Sequence, residues 1–130
     1  DLLEANRLVL AQVTRRIEGE VTECDLLGEV VVEPGARVTR SELRGPIHIA
    51  SGAVVEDSYV GPYTSIGQGS RVIGSEVEFS ILLPQCEVVQ VPYRLDASVI
   101  GQGAVVTRET RRRRQHTVGL VVGDFSRICL

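Results

Sequence analysis

Two histidines are the first residues in this sequence that could do chemistry. An imidazole moves a proton near neutral pH, so either could act as a general base. His48 stands in Pro46-Ile47-His48-Ile49, and His116 follows a run of arginines. Neither has an Asn, Asp or Glu placed nearby in a pattern that would orient the ring, and a structural or surface role is expected for both. The run Arg111-Arg112-Arg113-Arg114 has the charge to hold phosphate or nucleic acid. No aromatic is interleaved with it and the chain's net charge is −3, which favours a solvated loop or pairing with an acidic partner surface.

The carboxylates Glu56-Asp57 and Glu76/Glu78 are expected at outward or corner positions, with no convergent pair for acid–base work. The phosphate-cradling patterns GxxxxGKS and GxGxxG are missing from the sequence. Cys24, Cys86 and Cys129 are far apart and odd in number, with no CxxC, and read as free thiols of a reducing cytosol. Cys86 falls at a small inward site where packing explains it. The residues therefore assign no catalytic, cofactor-binding or metal site. No apolar run reaches spanning length and no signal peptide is read at the start, so a cytoplasmic protein without membrane or nucleic-acid partners is expected. The chain begins with Asp1, and reads as a piece of something longer.

What must position these side chains is a repeat. Val38, Val55 and Val72 lie 17 residues apart, each followed three residues later by a serine, Ser41, Ser58 or Ser75, and two after that by an aliphatic. A finer ladder runs Leu26, Val32, Val38, Leu43, Ile49, Val55, Val60 and onward through Val88 in steps of 6 or 5. That period fits neither a helix nor one long strand, but it suits a short strand, a corner and another strand. The residue two before a ladder position is usually small, as at Ala36, Ser41, Ala53, Ser58, Thr64, Ser70 and Cys86. Two apart on a strand means the same face, so each strand points one small and one aliphatic residue inward. Gly35, Gly52, Gly69 and Gly103 mark corners where a positive φ is expected.

Three such sides close a triangular coil of 17 residues, and no coil buries its inner face without its neighbours. The expected fold is all-β: a parallel β-helix of hexapeptide-type repeats, about five triangular coils, with an N-terminal α-helix. Leu3, Asn6, Leu10, Val13 and Ile17 fall at helical spacing, and Asp1 with Glu4 resembles a helix start. The expected organisation is a helix over 1–17 and the β-helix with a C-terminal cap over 18–130. The helix either covers the open end of the prism or, the preferred expectation, ends a preceding domain. Val89 to Arg94 breaks the ladder and is expected to protrude or to switch faces. Val118 to Val122 and Ile128 to Leu130 are expected as two short strands closing the C-terminal end.

The segments Val60-Gly61-Pro62-Tyr63-Thr64-Ser65 and Ile66-Gly67-Gln68-Gly69-Ser70-Arg71 match the hexapeptide-repeat pattern, and that resemblance implies a left-handed β-helix. Asp1 to Leu10 resembles the last helix of sugar-phosphate nucleotidyltransferases. The run Val55 to Gly67 and the ending Val121 to Arg127 are similar to the C-terminal β-helix of the long-form glucose-1-phosphate thymidylyltransferases. The resemblance implies a parent enzyme that joins dTTP and glucose 1-phosphate with Mg²⁺, for dTDP-sugar synthesis. It implies no catalytic residue here, because that family's nucleotide loop and metal-binding aspartates have no counterpart in this sequence. A non-catalytic module for assembly or regulation is expected, partnered by the nucleotidyltransferase domain and by further copies of itself. The alternatives are a free-standing hexapeptide acyltransferase using His48 or His116, or the β-helix of another sugar nucleotidyltransferase.

Overall fold

A computed structural model of the chain describes residues 1–108, 117–118 and 120–130. Arg111–Arg114 and His116 lie outside the described residues.

Short parallel strands build three sheets. The first holds Arg16–Ile17, Val30–Val32, Ile47–Ile49, Thr64–Ile66, Ile81–Leu82, Val99–Ile100 and Val121–Val122. The second holds Glu20–Thr22, Arg37–Thr39, Val54–Glu56, Arg71–Ile73, Glu87–Val89, Val105–Thr107 and Arg127–Cys129. The third holds Asp25–Leu27, Glu42–Arg44, Tyr59–Val60, Glu76–Glu78, Arg94–Asp96 and Thr117–Val118. Each strand pairs with the strand one coil earlier and one coil later, which makes a three-sided parallel solenoid. The ladder registers as its period requires: Val38 pairs with Val55, Val55 with Val72, and Ile49 with Ile66.

Val32, Val38, Leu43, Ile49, Val55, Val60, Val72, Val77 and Val88 are all fully buried, and so are the small partners Ala53, Thr64, Ser70, Ser80 and Cys86. The solenoid interior is therefore filled by its own ladder.

The serines at the shortened corners have a specific job. Ser58 Oγ donates to the Glu56 carbonyl at 2.7 Å and accepts from the Ser75 N–H of the next coil at 3.2 Å. Ser41 and Ser75 repeat this, Ser41 Oγ accepting from Ser58 N–H and Ser75 Oγ from Val91 N–H, each at 3.2 Å. A five-residue step removes a corner residue and breaks the regular ladder, and the hydroxyl column supplies the acceptor that a buried N–H needs. Gly35, Gly52, Gly69 and Gly103 do take positive φ, at 87°, 75°, 69° and 69°.

Three elements differ from expectation. The helix α1 spans Leu2–Leu10, not 1–17. Asp1 caps it by accepting from Leu3 N–H and Glu4 N–H, and Ile17 is drawn instead into a strand paired with Val32. The Val89–Arg94 insertion folds inward rather than protruding: Val91 and Tyr93 are buried, and Val91 N–H meets the Ser75 hydroxyl. Val91 is apolar and joins the core, and the Tyr93 side chain is buried with it. The C-terminal strands do not form a separate cap. Val118, Val122 and Ile128 pair in register with Leu95, Ile100 and Val106 and so continue the coil.

Candidate functional site

The outward column of the first sheet runs Arg16, Val31, His48, Ser65, Ile81 and Val99, each paired with the next across one rung. Helix α1 lies on this column, on the flank of the prism and not over its end. Asn6 fixes it: Ser65 Oγ donates to Asn6 Oδ1 at 2.7 Å, and Asn6 Nδ2 donates to the Tyr63 carbonyl at 3.4 Å. The Arg7 guanidinium sits 5.9 Å from the Tyr63 ring centre. Leu10 is the helix's buried anchor, and Val31 is buried although it points away from the core. The helix thus descends from the Ser65 rung towards the Val31 rung.

Under its C-terminal end is a cavity of about 530 Å³ lined by Leu10, Val13, Arg16, Val31 and His48 among others. His48 is held there. Its Nε2 lies 2.6 Å from Glu33 Oε2, while Glu33 Oε1 accepts from Ser51 N–H at 3.0 Å. The bond to His48 holds the Glu33 carboxyl below its ordinary pKa of 4.5, with smaller help from Ser51 N–H and opposition from desolvation. A carboxylate that orients an imidazole leaves the other ring nitrogen able to exchange a proton. Both groups are about one-third exposed.

His48 therefore does have an orienting carboxylate, contrary to expectation. It lies 15 residues earlier, where local sequence does not look. The 17-residue coil supplies the missing signal, because it sets Val31 beneath His48 and so brings the corner residue Glu33 alongside.

The remaining candidates are dispersed. Glu56 and Asp57 point outward as expected, and Asp57 pairs with Arg40 through Nε–Oδ1 at 2.8 Å and Nη2–Oδ2 at 3.2 Å. Arg40 depresses the Asp57 carboxyl pKa. These two, with Glu23 and Gly74, stack at a left-handed corner with φ between 47° and 55°. On the third sheet Arg94 bonds Glu76 at 2.8 Å, reaches Glu78 at 3.6 Å and lies 4.8 Å from the Tyr59 ring centre. Arg44 joins Asp25 and Glu42 in the same way. The donor set does not fit Mg²⁺: among the described residues no three His, Cys, Asp or Glu converge to hold a metal. Cys24, Cys86 and Cys129 are free. Cys86 is buried and burial pushes its thiol pKa up, the opposite of a reactive thiolate. Among the described residues no helix is long and apolar enough to cross a membrane.

The fold is that of a parallel β-solenoid with a filled interior and a docked flanking helix. No family model matches the chain. Over 98% of its length it is 43% identical to glucose-1-phosphate thymidylyltransferase of Streptomyces antibioticus, and over 98% it is 45% identical to glucose-1-phosphate thymidylyltransferase of Streptomyces griseus. The chain spans 35% of the length of each of these relatives. The resemblance first visible in α1, in Val55–Gly67 and in Val121–Arg127 thus extends along nearly the whole chain.

Proposed function

We propose that this chain is the non-catalytic assembly module, C-terminal in position, of a nucleotidyltransferase that makes dTDP-glucose from dTTP and glucose 1-phosphate. One observation carries the reading: 98% of the chain aligns with thymidylyltransferases of which it makes up only 35%. The nucleotide loop, the metal-binding aspartates and their Mg²⁺ then belong to the other part of such an enzyme, in the cytoplasm. The solenoid supports this role because its core is packed shut and its surfaces are flat. Helix α1 supports it too. One side is docked, while Leu2, Leu8 and Val9 are 57%, 53% and 67% exposed. That apolar strip is suited to seat the nucleotidyltransferase domain.

The test is turnover. With dTTP, glucose 1-phosphate and Mg²⁺, the 130-residue chain is expected to release no pyrophosphate above a protein-free control. Release that scales with its concentration would refute the reading.

The Glu33–His48 pair favours one second reading, an acyl transfer in which His48 is the base. It predicts acetyl-CoA binding that is lost in His48→Ala, and a calorimetric titration without heat rules it out.

A further inference from the structure

Among the described residues, the outer face of the second sheet carries neither α1 nor a closed lattice of ion pairs. Two columns point out from it. The first runs Glu20, Arg37, Val54, Arg71, Glu87, Val105 and Arg127 in rung order, and the second runs Thr22, Thr39, Glu56, Ile73, Val89, Thr107 and Cys129, so the rung of Glu20 and Thr22 lies beyond the symmetric span. Val54, Ile73, Val89 and Val105 are partly exposed there among the described residues, without a helix over them as α1 lies over Val31. Arg71 and Glu87, on neighbouring rungs, pair at 2.6 Å.

The order of residues in these columns is self-complementary about the midpoint between the Arg71 and Glu87 rungs. Counting outward from that point, Arg71 answers Glu87, Val54 answers Val105, and in the second column Ile73 answers Val89. We propose that this face pairs with the same face of a second copy, about a two-fold axis running along the strand direction between those rungs, with the two prisms antiparallel. The proposal rests on the assembly reading above and names its surface. A two-fold contact uses one patch twice, so each residue must suit its counterpart across the axis. Here each Arg71 faces a Glu87 of the second copy and each Val54 faces a Val105. The four charges alternate around the axis, and the valines and Ile73 lose water together.

The other two-fold arrangement, with the axis along the prism, fails on the same residues. It sets Arg71 over Ile73 and Glu87 over Val89 of the second copy, which removes charges from water without adding partners. The antiparallel arrangement carries one like-charge match, Arg37 with Arg127 of the second copy, and sets the partly exposed Glu56 against Thr107 rather than against an apolar residue. The two arginines are exposed at the rim, where such a pair costs little.

The 130-residue chain in light scattering is expected to show twice its own mass. Arg71→Glu and Glu87→Arg should each weaken the dimer by about tenfold or more, and the double swap R71E/E87R should restore it. Unchanged circular dichroism of the single variants establishes that the fold is kept. The geometry is read by cross-linking with a short bis-maleimide, with Cys129 replaced by Ser. In one copy Val54 and Val105 are three rungs apart, roughly 14 Å at 4.8 Å per rung, beyond that reagent's reach. V54C/V105C should give a covalent dimer, while V54C and V105C alone should not. A dimer that cross-links through V54C/E56C instead, or a monomeric mass, overturns the pairing. Neither outcome touches the pyrophosphate test, and pyrophosphate release would leave the pairing intact while removing the non-catalytic reading.

Discussion

The outer column of the first sheet and the outer column of the third sit on the same coil and flank the same buried ladder. Yet the first runs Val31, His48, Ser65, Ile81 and Val99, and is roofed by α1 at Val31, His48 and Ser65. The third runs Asp25, Glu42, Tyr59, Glu76 and Arg94, and is laced by arginine–carboxylate pairs in water. Inside, both present the same aliphatic positions. The coil thus separates two tasks. Inner positions are constrained by stacking on the rungs above and below. Outer positions are constrained by what each face meets: α1 on the first sheet, ion pairs on the third.

Substitutions can break this contrast, and the largest effect is expected where the two faces share a residue. Val72 is fully buried in the common ladder. Val72→Asp would place an unpaired carboxylate there and cost about 4 kcal/mol or more, abolishing the cooperative transition in circular dichroism. Next comes Leu10, the anchor of α1. Leu10→Ala is expected to cost about 2–4 kcal/mol. Hydrogen exchange should show the loss confined to α1 and the first sheet, with amides of the third sheet unchanged. Equal loss on both faces would mean that the helix is not docked on one of them alone.

Ser58→Ala removes the acceptor for the buried Ser75 N–H and should cost about 1–2 kcal/mol in urea unfolding. Glu33 gives a pH signature that the third sheet lacks at this position. Its folded pKa lies below 4.5, so its contribution is complete above that value and is lost as pH falls from 4.5 through the lowered one. Glu33→Gln should flatten stability against pH in that acidic window, and an unaltered curve would show that the His48 bond contributes nothing. The smallest effect belongs to the ionic face. Arg94 is 40% exposed, and Arg94→Ala should cost less than about 1 kcal/mol and less still in high salt.

The same division explains what the sequence disclosed. The ladder was legible because stacking repeats one demand every coil, so Val38, Val55 and Val72 announce themselves by spacing. The serine at each shortened corner was visible as a pattern, but its hydroxyl bonds run to the next coil and leave no local mark. Outer contacts leave no period. Glu33 and His48 belong to successive coils, and their meeting follows from the 17-residue offset rather than from local sequence. The end of α1 was blurred for a related reason. Val13 and Ile17 continue its apolar spacing, but sheet pairing with Val32 claims Ile17. Val91 and Tyr93 looked like a protruding break because they disturb the period, while their apolar bulk took them into the core.

The central proposal is that this solenoid serves other protein domains through its faces and holds no small-molecule site of its own. Amide chemical shifts of the 130-residue chain, followed while dTTP, glucose 1-phosphate and acetyl-CoA are added in turn with Mg²⁺, test it most directly. The account predicts no saturable, clustered shift changes, including around Glu33 and His48. A saturable cluster in that cradle would contradict it.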